Sequence, residues 1–384
     1  KKLNQMLPTI STQSMTTVTV VDIGSYSIKV GESADTRPSH ELYSCLAYKE
    51  KDNQFLPNDS FLFSHSSKPF VQNGQISDPD AFCVKLNSLL QYYPNMYNCV
   101  SLLQPYYATQ QERQQLAEIM FEKYNCKALH FGSQEMSAAL GAGCQTAMVV
   151  DLGFGVTKTV PVVDGHTLEG SLMYLNGEVL QQKLLIEAQV QLNKSAHYET
   201  LNQFSRRFLG NDFLQFFCAT SEQPLDPVNS DQLVQGQSYA LPDGQQIVLG
   251  APSQMLPECF FNTSIFQQFS QENLKFQSLQ YQFLQTILEK PAQVKRELIQ
   301  NIVLCGGVSR LPGFQSRLRT ELESVFAIQT LTGKPKFIDY KCDPRHLTFF
   351  GGSAIASLGV FGYMVTSAQE WRDEGIMGVE KRRM

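Results

Sequence analysis

Two aspartates, Asp22 and Asp151, each end an apolar run and stand directly before a turn that contains glycine. The stretches TVTVVDIGSYSIKVG and TAMVVDLGFGVTKTV align at an offset of 129 residues, which places Gly24 on Gly153. Glycine lets backbone N–H groups approach a phosphate without a Cβ in the way. A carboxylate repels a bare phosphate but can hold one through a hydrated divalent cation. The repeat therefore predicts two hairpins that clamp a polyphosphate between two lobes.

Other residues in the same pattern support a phosphate site. Lys29 follows the first turn and would add a point charge on the phosphates, while Asp22 and Asp151 would meet the cation through water. A further glycine pair, Gly306-Gly307, follows the apolar run NIVLC. A single such hairpin is equally typical of a buried strand that meets a turn. The duplication together with the later glycine pair favours the ligand site.

The elements that position these residues can be predicted from hydrophobic periodicity and turn residues. Residues 17–31 have the pattern of a strand, a turn and a strand, and 238–250 that of a hairpin around Pro-Asp-Gly. We expect 45–80 to be an irregular subdomain or loop, with SHSSKPFVQNG as loop. Helices are predicted at 112–125, 133–143, 178–193, 199–217 and 272–290. Strand, glycine turn and helix are predicted in that order within 298–325 and again within 345–365.

Composition excludes several classes of protein. The chain has 384 residues and a net charge of −5, so its overall field does not attract nucleic acid, and we expect no direct sequence-specific nucleic-acid binding. Nine cysteines without CxxC pairs and six histidines without HxxxH spacing argue against zinc sites and a disulfide framework. No apolar run approaches the roughly 20 residues of a membrane span, and the N-terminus lacks a secretory pattern. We expect an intracellular, soluble chain without a membrane partner.

Six segments in order resemble actin and the actin-related proteins, from about Val18 to the C-terminus. VVDIGSYSIKVG and VVDLGFGVTKTVPVVDG resemble the two phosphate loops, and NIVLCGGVSRLPGF the adenosine-binding turn. RQQLAEIMFEKYN, YALPDGQQIVLG and FFGGSAIASLGVFGYMVTSAQEWRDEG resemble three further family segments. The resemblance implies an α/β, actin-like two-lobed ATPase fold, with duplicated mixed-sheet domains and a nucleotide cleft between them.

The same resemblance implies a domain division. The small lobe consists of subdomain 1 and a shortened subdomain 2, and the large lobe of subdomains 3 and 4. In chain numbers, subdomain 1 is 1–44, 73–143 and 341–384; subdomain 2 is 45–72; subdomain 3 is 144–182 and 260–340; subdomain 4 is 183–259. Within subdomain 2 the stretch 46–71 is shorter than the segment that makes a longitudinal filament contact in actin. Polymerisation is therefore not expected.

The resemblance implies ATP or ADP with Mg²⁺ as the ligand. Asp22 and Asp151 would hold the metal through water, and Gln134 matches the water-positioning glutamine, as a catalytic remnant or as an ordinary polar helix residue. The implied nucleotide-binding residues are Asp22, Gly24, Ser25, Lys29, Asp151, Gly153, Gly155, Val156, Gly306 and Gly307.

The loops also depart from the family pattern. Tyr26 stands where conventional actin has glycine, Phe154 where filament-forming actins have aspartate, and Lys158 where actin has a histidine that organises the attacking water. No match for the Lys-Glu pair that contacts adenosine is found around FSRRFLGNDF. Hydrolysis needs a positioned water as well as bound phosphate. We expect binding without effective ATPase activity.

DIGSYSIKVG resembles the nuclear class-four actin-related proteins. That likeness implies an architectural, nucleotide-binding subunit of a nuclear chromatin-remodelling or histone-acetyltransferase assembly. The alternative is a cytoskeletal, cytoplasmic member of a dynactin-type, axonemal or filament assembly. The implied partners are an amphipathic helix in the groove between the lobes and an actin or actin-like neighbour. We expect the end of the helix at 133–143 and the segment 353–364, with Leu358, Val360, Phe361 and Met364, to line this groove.

Overall fold

The structure is a computed structural model that describes residues 17–52, 54–90, 92–225, 237–250, 256–265, 277–329, 331 and 333–382. Its strands are β1 (Thr19–Ile23), β2 (Ser27–Glu32), β3 (His40–Tyr43), β4 (Cys45–Lys49), β5 (Gln54–Leu56), β6 (Ser66–Pro69), β7 (Val71–Gln72), β8 (Gln75–Ile76), β9 (Val100–Gln104), β10 (Ala128–Ser133), β11 (Ala147–Leu152), β12 (Thr157–Val163), β13 (His166–Thr167), β14 (Ser171–Met173), β15 (Gln237–Ala240), β16 (Gln246–Leu249), β17 (Ile302–Cys305) and β18 (Thr366–Ser367).

The α-helices span Pro79–Leu89, Gln110–Glu118, Gln134–Gly141, Gly177–Leu192, Ala196–Thr200, Gln203–Phe217, Leu279–Leu288, Ala292–Gln300, Phe314–Ile328, Leu347–Ala356, Ala368–Glu374 and Ile376–Glu380. The helix that begins at Gln110 continues as a π-helical turn, Ile119–Lys123. Short 3₁₀ turns span Glu50–Asp52, Asp59–Phe63, Pro94–Tyr97, Val308–Arg310 and Phe361–Tyr363. Of the helix predicted over 272–290, residues 272–276 lie outside the described residues.

Two mixed sheets repeat one arrangement. The first has the order β18-β10-β9-β1-β2-β3 and the second β13-β12-β11-β17, with β14 paired to β12. In each sheet the first hairpin strand pairs antiparallel with the second and parallel with a later strand, β9 for β1 and β17 for β11. Every residue of β1 is buried, as expected for a strand covered on both faces. The predicted α/β fold with duplicated mixed sheets is confirmed.

The two hairpins share their register. Asp22 lies opposite Lys29 in the first, and Asp151 lies opposite Lys158 in the second. Because paired residues on antiparallel strands point to one face of the sheet, each aspartate carries its lysine to the same place. The repeat seen in sequence is therefore a repeat of geometry.

Two small-residue helices pack closely behind the hairpins. The helix Gln134–Gly141 contacts the helix Leu347–Ala356. A Cβ at Gly351 would overlap the Ser137 carbonyl oxygen, and one at Gly141 would lie 2.9 Å from the Leu347 carbonyl oxygen. The predicted strand and Gly-Gly-Ser turn within 345–365 are wrong. The glycine pair lies inside a helix, where the Ser137 backbone leaves no room for a side chain at Gly351 and the Leu103 side chain leaves none at Gly352.

The segment predicted to be irregular forms a small sheet instead. Strands β5, β4 and β6 pair in that order, so the loop predicted for SHSSKPFVQNG is wrong over Ser66–Pro69. The core of this sheet contains Leu46 and Ala47 from β4. The hairpin predicted at 238–250 is confirmed by the pairing of β15 with β16.

Candidate functional site

One cavity of about 280 Å³ lies between the two sheets. Both hairpins, the Gly306-Gly307 turn and the helix that begins at Gln134 contribute to its wall. The structure brings together all of the residues that the sequence nominated, although their binding roles stay predictions. Those residues are Asp22, Gly24, Ser25, Lys29, Gln134, Asp151, Gly153, Gly155, Val156, Gly306 and Gly307.

An ion-pair network lies at the floor of the cavity. The Lys158 ammonium is 2.8 Å from Glu135 Oε1 and 3.2 Å from Asp151 Oδ2, and this side chain is only 2% exposed. Burial alone would lower the pKa of Lys158, but the Glu135 and Asp151 carboxylates outweigh it and hold the pKa well above its ordinary value. Lys158 therefore carries a charge throughout the physiological range.

Gln134 joins this network to the other hairpin. Its amide nitrogen donates to Asp22 Oδ1 at 3.1 Å and to the Ile23 carbonyl at 2.9 Å, and its Oε1 accepts from Lys158 at 3.0 Å. An amide NH₂ has two hydrogens to donate, and both are used here. Gln134 thus braces the two hairpins and has one acceptor lone pair left for water.

Asp22 is the most enclosed of the predicted acidic residues. It pairs with Lys29, whose Nζ lies 3.7 Å from Asp22 Oδ2. Burial raises the pKa of Asp22, while Lys29 opposes the rise and the nearby Asp151 adds to it. Burial therefore favours the protonated form of Asp22, and the Lys29 ammonium offsets part of that effect.

An aromatic clasp joins the tips of the hairpins. The Tyr26 and Phe154 rings are 5.1 Å apart, and the Arg207 guanidinium lies 4.1 Å from the centre of the Phe154 ring. Arg207 also donates to the Ser25 carbonyl at 3.3 Å. Two of the departures from the family pattern, Tyr26 and Phe154, thus contact each other across the cleft, and Arg207 makes a cation–π contact with both rings.

The close approach of the two hairpins explains why residue 155 is a glycine. A Cβ on Gly155 would lie 2.7 Å from the Ser25 Cβ of the first hairpin. The Ser25 hydroxyl accepts a hydrogen bond of 2.8 Å from the Gly74 amide. Both hairpin tips therefore meet at Ser25, and any side chain at Gly155 would push the lobes apart.

The other end of the cavity is formed by Asn211, Leu214 and Gln215 of the helix Gln203–Phe217. Gln181 also lines it; its amide donates to Asn211, and its buried Oε1 lacks a partner within the described residues. This end of the cavity is therefore lined by amides and an aliphatic side chain.

A second contact joins the small sheet to the start of the helix Gln203–Phe217, and we call it the cleft latch. It comprises Phe204 with its partners Tyr43, Leu62 and Phe63, and the side-chain amide of Asn202. Phe204 is buried in one cluster with Leu62, and its ring lies 4.8 Å from Tyr43 and 5.1 Å from Phe63. Asn202 donates to the Leu62 carbonyl at 2.7 Å. The latch fastens the small sheet to the opposite lobe.

Sequence reasoning missed Glu135, Arg207 and the latch. Glu135 follows Gln134 directly, in a helix otherwise rich in small and apolar residues, and a buried acid there needs a cationic partner. That signal was present in the sequence. Arg207 and Phe204 left none, because the helix that carries them is distant in the chain from the first hairpin that Arg207 contacts and from the Tyr43 and Leu62 that Phe204 contacts.

The family model for actin matches residues 13–384, which is nearly the whole chain. The chain belongs to the actin family. Its relatives include actin-related protein 4 of Arabidopsis thaliana, 28% identical over 73% of this chain and 70% of that protein. Centractin of Saccharomyces cerevisiae is 26% identical over 92% and 94% of the two chains. Actin-related protein 2 of Acanthamoeba castellanii is 31% identical over 64% and 63%.

Actin-family proteins normally bind ATP or ADP with a divalent cation. The residues of this cavity suit the phosphate part and the cation part of such a ligand to different degrees. The phosphate part fits at two points: a Cβ at Gly307 would meet no heavy atom within 4 Å, and Lys29 lines the cavity. The cation part does not fit as well, because Asp22 and Asp151 are each already ion-paired with a lysine. Their role as metal ligands through water stays a prediction.

Two kinds of site are absent from the described part of this actin-family chain, a membrane-spanning helix and a metal-binding cluster. None of the helices in the described part combines the length and apolar character that a bilayer crossing requires. Within the same residues, no cluster of three or more His, Cys, Asp and Glu side chains has the arrangement of a metal site.

Proposed function

We propose that this actin-related protein is an architectural, nucleotide-binding subunit of a multi-subunit complex, with little or no ATP hydrolysis. One observation carries the proposal: Gln134 spends both amide hydrogens on the first hairpin and is held by Lys158 on its oxygen. A glutamine so committed cannot turn freely to position an attacking water. The cavity remains lined by phosphate-loop residues, which supports binding without turnover.

We further propose a nuclear chromatin-remodelling or histone-acetyltransferase assembly as the complex. The Gly-Ser-Tyr form of the first hairpin and the similarity to actin-related protein 4 support this assignment. The alternative is a cytoskeletal assembly in the cytoplasm, which the similarity to centractin over almost the whole chain supports. Identifying the proteins that co-purify with the native chain distinguishes the two.

The proposed partner is an amphipathic helix in the groove between the lobes, shared with an actin or actin-like neighbour. Val360 is 57% exposed, and Leu358 and Tyr363 are exposed to a similar degree. Phe361 and Met364, also expected in the groove wall, are instead buried in the core at 3% and 8% exposed, and the Phe361 ring lies 5.0 Å from His130. The exposed apolar side chains, and not Phe361, are therefore the surface that a partner helix would contact.

Partner capture tests this surface. The double variant Leu358→Asp/Val360→Asp should lose partners that the wild-type protein captures, because a charge in an apolar contact must be desolvated. Val190→Asp is the control, since Val190 is an aliphatic side chain outside this surface and is 73% exposed. Equal capture by both variants and wild type would exclude the groove as the docking site.

Nucleotide content tests the other half of the proposal. Protein purified without added nucleotide is denatured, and the supernatant is separated by ion exchange. We expect ATP or ADP in the supernatant. A folded protein that carries no nucleotide, and whose melting temperature ATP does not change, would refute nucleotide binding. A sedimentation assay then tests for filaments, which the replaced 46–71 segment argues against.

A further inference from the structure

A lysine side chain already places a positive charge where a divalent cation would lie between the hairpins. The Lys158 ammonium lies within 3.2 Å of an oxygen of Asp151, one of the two predicted metal ligands. It also bonds Glu135, a third buried carboxylate that no phosphate-loop pattern includes. An ammonium at this position repels a divalent cation and occupies the carboxylate lone pairs that the water shell of such a cation would use.

The same ammonium completes a link that a bridging cation would otherwise make. Starting from Asp22 on the first hairpin, a hydrogen bond leads to Gln134, a second from Gln134 to Lys158, and an ion pair from Lys158 to Asp151 on the second hairpin. Every member lines the cavity. The two lobes are thereby connected through side chains alone.

Charge balance agrees with this arrangement. Lys158 is matched by two carboxylates, Glu135 and Asp151, so its charge stays compensated when a phosphate is absent. Of the other cations that line the cavity, Lys29 pairs with Asp22 and Arg345 with Asp343, so Arg310 is the one that the described ion pairs leave for an anionic ligand. A nucleotide entering this cleft would meet fixed cations in place of a bound one.

We propose that the Lys158 ammonium takes the place of the divalent cation, so that this cleft binds nucleoside polyphosphate without a metal ion. The inference rests on the proposed nucleotide binding and changes what that binding requires. It also predicts that the cleft keeps its closed geometry when divalent cations are removed, since no link between the hairpins depends on one.

Affinity for ATP, measured by calorimetry on the full chain in excess EDTA and again in excess Mg²⁺, tests the proposal. We expect dissociation constants that agree within about threefold. Binding that weakens by about thirtyfold or more in EDTA overturns the inference and leaves nucleotide binding intact. An absence of binding under both conditions removes the proposed function and this inference together.

A variant whose melting temperature should depend on Mg²⁺ provides a second test. Lys158→Met keeps the length of the side chain and leaves Asp151 and Glu135 unpaired, a carboxylate pair that Mg²⁺ can occupy. We expect millimolar Mg²⁺ to raise the melting temperature of this variant by about 3 °C or more and to leave that of the wild type unchanged. A wild-type protein that EDTA destabilises would overturn the proposal without any variant.

The matched control is Lys85→Met. Lys85 is another fully buried lysine, and it pairs with the carboxylate of Asp59 outside the cavity. Its replacement should destabilise the protein without any response to Mg²⁺. Should Lys158→Met fail to fold, the double variant Lys158→Met/Glu135→Gln removes one of the two unpaired charges. A Mg²⁺ response equal in the Lys85 and Lys158 variants would refute a specific cation position.

Discussion

Replacing Phe204 with alanine should open the cleft latch without unfolding either lobe. Phe204 belongs to the helix Gln203–Phe217, yet its ring is buried against Leu62 and lies edge-to-face on Tyr43 and Phe63. The alanine side chain reaches none of these partners. The hydrogen bonds from the Asn202 amide to the Leu62 and His65 carbonyls, each 2.7 Å long, would remain.

The size of the effect follows from the burial of the ring. Truncating a buried phenylalanine to alanine costs about 3–5 kcal/mol, and the low end applies to a small cluster that can partly collapse. About 3 kcal/mol corresponds to a factor of about 100 in the equilibrium between the closed and the open latch. Phe216 is the matched control on the same helix, because it is 47% exposed and contacts its own lobe. We expect Phe216→Ala to cost less than about 1 kcal/mol.

Hydrogen exchange followed by mass spectrometry measures this opening directly. Amides of β4 and β6 should exchange about 100-fold faster in Phe204→Ala, while those of β11 and β12 keep their wild-type protection. The reasoning is refuted if protection of β4 and β6 is unchanged, or if Phe216→Ala produces the same loss. A uniform loss across both sheets would show that Phe204 supports global stability and not the latch.

Three further changes test other parts of the structure. Single-turnover phosphate release should be slow, and Gln134→Ala should leave its rate unchanged; rapid release that the variant abolishes would show that Gln134 positions water. Burial lowers the pKa of His130 to about 4. Between pH 6.5 and 4 the unfolded chain therefore binds more protons than the folded chain, so the free energy of unfolding falls by about 3 kcal/mol as the pH falls through that window. Denaturant unfolding should show this loss in the wild type and not in His130→Gln; equal slopes with pH would contradict it. Gly351→Ala should destabilise the protein severely, because its Cβ would overlap the Ser137 carbonyl, whereas Gly359→Ala meets open space and should be tolerated; equal melting temperatures would refute the tight helix crossing.

The sequence alone determined the fold and the location of the cleft. Two apolar runs that end in Asp22 and Asp151, at one spacing from Lys29 and Lys158, predicted paired hairpins, and the structure has them in identical register. Such a prediction succeeds because hairpin register and strand burial are local properties, encoded by residues a few positions apart. The duplication then required the two hairpins to face each other.

Contacts between distant segments were decided only by the tertiary structure. Phe361 has the apolar character of a groove residue, but its side chain points into the core. Tyr363 on the same 3₁₀ turn points outward instead. The pair Gly351-Gly352 has the sequence of a turn but lies within a helix, and both residues are glycine because a Cβ at Gly351 would overlap the facing helix and one at Gly352 would overlap the Leu103 side chain. In both cases the deciding neighbour is far away in the chain, and no local pattern records its distance.

The charge of the cleft depended on tertiary structure in the same way. In the sequence, Lys158 is notable only because it stands where actin has a water-organising histidine. In the structure, Lys158 lies beside Glu135 and Asp151 and is a fixed cation at the floor of the cavity. Whether a buried lysine repels, pairs or bridges depends on the few ångströms that separate it from other charges, since Coulomb energy varies inversely with distance in a low dielectric. Sequence supplied the charged residues, and packing set the distances that give them their function.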